Sequence, residues 1–282
     1  MIASIDLSQP FVQHALIAGG LVAVICGLIS PFVVTRGLAF AVHGTSELAF
    51  TGAAAGLLVS DNPIGGALAG ALVFGFVIAA LGESAQERDT AIGVVLAFGL
   101  GVGVLLLSYY HGFATAATNI LFGNIFGVSS DQLLALVLIG VGVAVVMAFV
   151  YRPLLFASVD VDVATARGVP VRLLGLIFLI VLALTVTAAA QVVGTLLVLS
   201  LAITPAAAAQ RWSRSPLVVT ALSVAFALAA ADGGIVMSLS STVKPSVFVT
   251  FISFGIYLVS RVAGPLVVRR GRRGVAGSVT HA

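Results

Sequence analysis

The sequence predicts an all-α fold: a polytopic transmembrane helical bundle of about eight or nine spans. Three observations predict it. First, 60% of the 282 residues are hydrophobic and 8% are charged, with a mean hydropathy of +1.22. Soluble domains are about 25% charged, so most of this surface must be solvated by lipid. Second, apolar stretches recur at the roughly 20 residues that a helix needs to cross a bilayer. Third, these stretches are continuous and rich in Gly and Ala. The strands of a membrane barrel would alternate instead.

Nine stretches fit a span, at about 14–35, 38–59, 63–82, 91–110, 132–150, 171–190, 192–209, 216–232 and 246–262. They follow one another with no soluble domain and no long linker, so residues 1–282 are expected to form a single transmembrane domain. The N-terminal MIASIDLSQP lacks a basic region and a small-residue cleavage site, so no removable signal peptide is expected. Cys26, the single cysteine, lies in the first stretch and reads as a small packing residue. One cysteine forms no internal disulfide and excludes a multi-thiolate metal site.

Basic residues set the orientation, because Lys and Arg concentrate at cytoplasmic ends. No basic residue precedes the first stretch. Arg36, Arg88, Arg152, Arg167, Arg172, Arg211, Arg214, Arg261, Arg269, Arg270, Arg272 and Arg273 all fall inside if the N-terminus is outside. Nine spans, N-terminus out and C-terminus in, thus account for twelve of the thirteen basic residues, leaving Lys244 outside. The tail RRGRRGVAGSVTHA is expected to be disordered over about 268–282. Its basic cluster is short and abuts a span, which fits a membrane anchor and argues against nucleic acid as a partner.

Three connections are unusual. Residues 111–131 outside are too polar for a full span and read as a re-entrant or interfacial element. Residues 233–245 read as an irregular outside connection. Inside, SVDVDVATARGVPVRLLG places Asp160 and Asp162 ahead of a helical pattern that Gly168 would stop. This predicts a short surface helix at about 158–170, serving as a connector or as a docking element. Gly66 and Gly70 allow close helix packing. GxGxxG and Walker-type phosphate loops are absent, so the chain is not expected to bind ATP by the usual loop.

The stretch AVHGTSELAF carries the most informative polar residues. His43 and Glu47 are at i and i+4, on one helix face, with Ser46 beside them. Glu47 is the only acid deep inside an expected span. An ionised side chain at mid-bilayer costs between about 3 and over 10 kcal/mol, so it persists only beside a partner, water or an ion. One reading is a neutral His–Glu hydrogen bond clasping two helices. The other is an ion pathway. Imidazole and carboxylate suit zinc, manganese and iron as ligands, and they equally suit a proton relay. Spacing alone does not separate metal from proton. An intramembrane enzyme would want a nucleophile–base pair or a second histidine, and neither is near.

Five stretches together resemble the membrane subunits of the ABC importers that take up zinc, manganese and iron(II). They are RGLAFAVHGTSELAFTGAAAG, AIGVVLAFGLGVGVLLLS, LFGNIFGVSSDQL, SVDVDVATARGVPVRLLG and VGTLLVLSLAITPAAAA, in the family's order over about 15–265. The resemblance implies an ABC importer permease, homodimeric, that moves a divalent transition metal, zinc or manganese first, into the cytoplasm by alternating access. It implies no enzyme activity and no bound cofactor in this chain, the metal being substrate. It implies a cytoplasmic ATPase subunit and an extracytoplasmic metal-binding protein as partners, beside a second copy of the chain and the lipid bilayer.

Residue by residue, the family's second-span Asp and His, at i and i+4, match His43 and Glu47 with acid and imidazole exchanged. Its proline after them is Thr51 here. The coupling segment keeps Asp160, Asp162 and Gly168, with Arg167 beside them, as residues that would meet the ATPase; its usual proline is Val161. A histidine before LeuPheGlyAsn is Asn119, and an outer Asp before ProSer is Lys244. Two alternatives stand beside this reading: a proton-coupled secondary transporter, and an ABC permease for a chelated metal or vitamin. A secondary transporter would need no docking helix at 158–170, and a large ligand would need no buried His–Glu pair.

Overall fold

A computed structural model describes residues 9–80, 85–111 and 113–279, with side chains described except at 79–80, 85–88, 113–114, 116–117, 196 and 265–279. Among the described residues every regular element is helical. Helix α1 spans Pro10–Thr35, α2 Ala39–Ser60, α3 Pro63–Ala80, α4 Ala85–Ser108 and α5 Phe113–Phe122. A 3-10 turn at Ile125–Gly127 leads to α6, Ser130–Val159, and then α7, Val161–Ala166, and α8, Val171–Val193. After a second 3-10 turn, Thr195–Leu197, come α9, Val198–Ala202, and α10, Thr204–Ala209. Helices α11, Pro216–Ser238, and α12, Pro245–Val279, end the chain.

Helix α1 is the core of the bundle, packed against α6, α8 and α11. Its Ile25, Cys26, Ile29 and Phe32 are buried, which places Cys26 in the packing role expected of it. Its Gly27 lies on the backbone of α11: a Cβ there would stand 2.6 Å from the Cα of Val224.

Helix α2 is held by two neighbours across glycine faces. Toward α3, a Cβ on Gly66 would fall onto the Gly52 carbonyl, and one on Gly70 onto the Leu48 carbonyl. The small residues read from the sequence as packing sites therefore bring two backbones into contact. Toward α4, Gly99 and Gly103 receive Leu48, Phe50 and Thr51, and the Thr51 hydroxyl donates to the Gly99 carbonyl at 2.6 Å. The α2–α3 turn is tight: Asp61 adopts left-handed backbone (φ 51°) and Asn62 Oδ1 accepts from the Gly65 amide at 2.9 Å.

Among the described residues, six helices are long and apolar enough to cross a membrane: Pro10–Thr35, Asp89–Ser108, Ser130–Val159, Val171–Val193, Pro216–Ser238 and Pro245–Gly264. The stretches expected at 38–59 and 63–82 correspond to α2 and α3. Helix α2 is long enough at 22 residues, but His43, Ser46 and Glu47 lower its apolarity. The stretch expected as a span at 192–209 differs more. It is broken into a 3-10 turn, α9 and α10, because Gly194 takes φ +93° and Pro205 lacks the N–H that a continuous helix would use. At the other end, the backbone of α12 stays helical to Val279, through much of the stretch expected to be a disordered tail. No proline follows Pro265, and arginine is a good helix former.

The glycine contacts generate a test. Gly66→Leu drives a side chain into the α2 backbone, and overpacking of this kind costs about 1–3 kcal/mol or more. We expect a clearly lowered thermal midpoint in detergent, with Gly101→Ala, which meets open space, unchanged. Equal midpoints for the two variants would contradict the α2–α3 contact.

Candidate functional site

The polar turn of α2 is built by local hydrogen bonds that consume every hydroxyl in it. Thr45 donates to the Ala41 carbonyl at 2.7 Å, and Ser46 donates to the His43 carbonyl at 2.8 Å. Thr51 is spent on Gly99 of α4, as above. Glu47, 3% exposed, is left with Oε2 buried and unpartnered, and His43 Nδ1 is likewise buried without a hydrogen-bond partner. A carboxylate and an imidazole thus share one face with free ligand atoms. Such groups are costly unless something outside the chain satisfies them.

Two cavities lie along α2, and of the pair only His43 is in the lining of one. His43 lines the first, of about 480 Å³, together with Phe40, Ser200 and Thr204, and with Thr250 and Phe254 of α12. The second, of about 270 Å³, lies further along α2 toward Ser60, where Ala49 and Ala53 form part of its wall. The rest of its polar lining is Asn119, Asn124, Gln132, Thr187, Gln191 and Thr195. No Asp, Glu, Lys or Arg side chain among the described residues lines either cavity. Among the described residues, no group of three or more His, Cys, Asp and Glu side chains is gathered closely enough to hold a metal. His43 and Glu47 are thus joined by no third such side chain among the described residues.

The wall of the second cavity comes from two of the stretches singled out in the sequence. Gly123 (φ +74°), after α5, sits on the Val192–Gly194 backbone, and Gly194 (φ +93°) sits on the Leu121–Gly123 backbone. Neither position has room for a Cβ, so LeuPheGlyAsn and ValGlyThrLeu are pressed together backbone to backbone. The Asn124 amide donates to the Gln191 carbonyl at 3.4 Å across this contact. Lys244, before α12, is tied to the same region. Its Nζ lies 5.7 Å from the centre of the Phe122 ring and donates to the Thr118 carbonyl at 3.4 Å. Asn119 lines the cavity itself.

The residues expected to meet a partner lie elsewhere. Asp160 caps α7, with Oδ1 accepting from the Val163 amide at 2.9 Å. Gly168 ends the segment in left-handed backbone at φ +78°. Ala164 is fully buried and anchors α7 to the bundle, while Asp160, Asp162, Arg167 and Gly168 are exposed. Val161 and Val163 are exposed beside them, at 53% and 44%.

Two features escaped the sequence. Asp232 was placed at the end of a stretch expected to close there. Helix α11 continues to Ser238, so Glu47 is not the only acid within a long apolar helix; the Asp232 carboxylate faces Gly19 and Gly20 of α1, with Oδ1 buried and unpartnered. The second is the row Thr187, Gln191 and Thr195. Its i, i+4, i+8 spacing in an apolar run was a readable signal.

The family model described as the ABC 3 transport family matches residues 8–264. The manganese import system permease protein ScaB of Streptococcus gordonii is 30% identical over 256 residues, covering 90% of this chain and 92% of that protein. The high-affinity zinc uptake system membrane protein ZnuB of Haemophilus influenzae is 27% identical over 228 residues, covering 79% and 86%. Among solved structures, PsaBC from Streptococcus pneumoniae in complex with Fab matches with a TM-score of 0.83 at 28% identity, covering 92% of this chain and 95% of that one. A match over residues 8–264 takes in all the helices of the bundle but the end of α12, and the chain belongs to the ABC 3 transport family.

Proposed function

We propose that the chain is the multi-pass permease subunit of an ATP-driven importer for a divalent transition metal, manganese or zinc. The observation that carries this is the α2 face, where His43 Nδ1 and Glu47 Oε2 are buried and unpartnered and His43 lines a cavity. The relatives named for manganese import and zinc uptake support the same substrate class. An imidazole nitrogen and a carboxylate oxygen are ligands that either metal accepts. The clasp alternative would have used those atoms in a hydrogen bond. The family membership disfavours a self-contained proton-coupled transporter.

In this reading the N-terminus is outside and the C-terminus cytoplasmic, with α2, α3 and the broken 192–209 segment counted among eight or nine crossings. The working unit is a homodimer. Two copies supply two His43–Glu47 pairs, which offsets the shortage of ligands in one chain. A cytoplasmic ABC ATPase docks on α7 through Asp160, Asp162, Arg167 and Gly168, with the exposed Val161 and Val163 as its apolar contacts. An extracytoplasmic metal-binding protein delivers the ion at the opposite face. The ion loses water as it reaches Glu47, whose carboxylate replaces part of the hydration energy. It then passes His43 and enters the cavity beyond.

Two tests follow. Uptake of manganese-54 and zinc-65 by cells expressing the chain with its ATPase subunit should fall to background in Glu47→Gln and in His43→Ala, with the complex still assembled. Uptake retained in both variants would refute the assignment. Asp160→Ala removes the α7 cap, worth about 1 kcal/mol. We expect it to lower ATPase activity in the assembled complex several-fold while metal binding is unchanged; equal activity would remove α7 from the coupling role.

A further inference from the structure

The second cavity contains more free hydrogen-bonding capacity than a packed membrane interior tolerates. Thr187 and Thr195 are 1% and 2% exposed, and neither hydroxyl has a partner. Gln191 Nε2 is buried and unpartnered as well. All three line the same cavity. Thr187 is the informative member. A threonine inside a helix ordinarily donates back to the carbonyl four residues earlier, and Thr185, in the same helix, does so to Val181 at 2.8 Å. Thr45 and Thr220 do the same. Thr187 forgoes that bond and leaves its hydroxyl unpaired against the cavity.

Buried polar groups are almost always satisfied, by protein or by water. With no protein partner, these groups require water or something that carries it. The cavity is roomy enough: about 270 Å³ exceeds the roughly 180 Å³ that six waters occupy at about 30 Å³ each. Its polar lining is hydroxyl and carboxamide, set among Ala, Pro, Ile and Val side chains. Neutral oxygens compete less well than a carboxylate for the inner shell of a divalent cation. Metal-bound waters turn their hydrogens outward, however, and hydroxyl and carboxamide oxygens are acceptors for them. The carboxamide of Gln191 can present either its oxygen or its nitrogen. The wall residue Ala53 lies six residues along α2 from Glu47, about 9 Å at the helical rise.

We propose that this chamber holds the divalent cation while it is still hydrated. Thr187, Gln191 and Thr195 bind its water shell before Glu47 strips it. The inference rests on the assignment of His43 and Glu47 to the metal, and it adds a separate station that sets apparent affinity. Thr187, Gln191 and Thr195 are positioning residues, because they act through the water and do not touch the metal.

The test is manganese-54 uptake by cells expressing the chain with its ATPase subunit, measured as half-saturating concentration and maximal rate separately. Thr187→Val and Gln191→Leu should raise the half-saturating concentration at least several-fold and leave the maximal rate near wild type. Thr187→Ser, which keeps the hydroxyl, should restore the wild-type value. Thr185→Val, whose hydroxyl is spent on the backbone, should leave it unchanged. Unchanged half-saturation in both Thr187→Val and Gln191→Leu overturns the inference, even where Glu47→Gln abolishes uptake; retained uptake in Glu47→Gln strikes the metal site and not the chamber. A second readout does not depend on transport. Ala53→Cys in the assembled complex should react with a small cationic thiol reagent and be protected by manganese(II), with the native Cys26 buried and silent. Absence of reaction would mean a dry cavity, and reaction without protection would mean water only; either result overturns the proposal.

Discussion

A glutamate buried within a helical bundle in lipid, with one carboxylate oxygen lacking a hydrogen-bond partner among the described residues, is the constraint on which the rest of this structure depends. Glu47 is 3% exposed and its Oε2 accepts no hydrogen bond. The isolated charge costs several kcal/mol at least, and the surrounding structure holds it in place instead of relieving it. The hydroxyls of Thr45, Ser46 and Thr51 are spent on backbone carbonyls. The glycine faces of α3 and α4 pin α2 on two sides, so the helix cannot rotate to give Glu47 to another environment. What is left is a helix with two buried polar atoms, His43 Nδ1 and Glu47 Oε2, without hydrogen-bond partners among the described residues.

The remaining elements follow from that position. The broken segment after α8 serves both cavities: Thr195 faces one, and Leu197, Leu199 and Ser200 face the other. Gly194 gives this segment its turn, and Gly123 gives the α5 connection room to press against it. Lys244 fastens α5 to the loop before α12 through Thr118 and the Phe122 ring. A cation near the expected entry of a cation is thereby engaged in local contacts. At the other end, α7 is set by one cap and one left-handed glycine, with Ala164 buried and its acidic and apolar residues exposed. A helix so lightly attached suits transmission of a partner's movement better than it suits bundle stability.

The helical class was legible in the sequence because lipid imposes length and apolarity on each span, and those are properties of local composition. His43 and Glu47 were legible because charge is rare in such stretches, and α7 because Asp160 and Gly168 are cap and stop signals. The break at Gly194 was not: one glycine in an apolar run reads as packing, and its φ of +93° follows from a tertiary contact with Gly123. Asp232 was misplaced because residues 233–245 were read as an irregular connection, whereas packing against α1 carries α11 to Ser238. The spacing of Thr187 with Gln191 was readable, but threonine in a membrane helix normally bonds its own backbone, and only the structure shows the Thr187 hydroxyl unpaired where that of Thr185 is bonded.

The measurement that addresses the central claim most directly is pulsed electron paramagnetic resonance of manganese(II) bound to the purified permease–ATPase complex. If His43 ligates the metal, the spectrum carries nitrogen modulation from an imidazole, and that modulation disappears in His43→Ala. A wild-type complex that binds manganese with oxygen ligands alone would contradict the account.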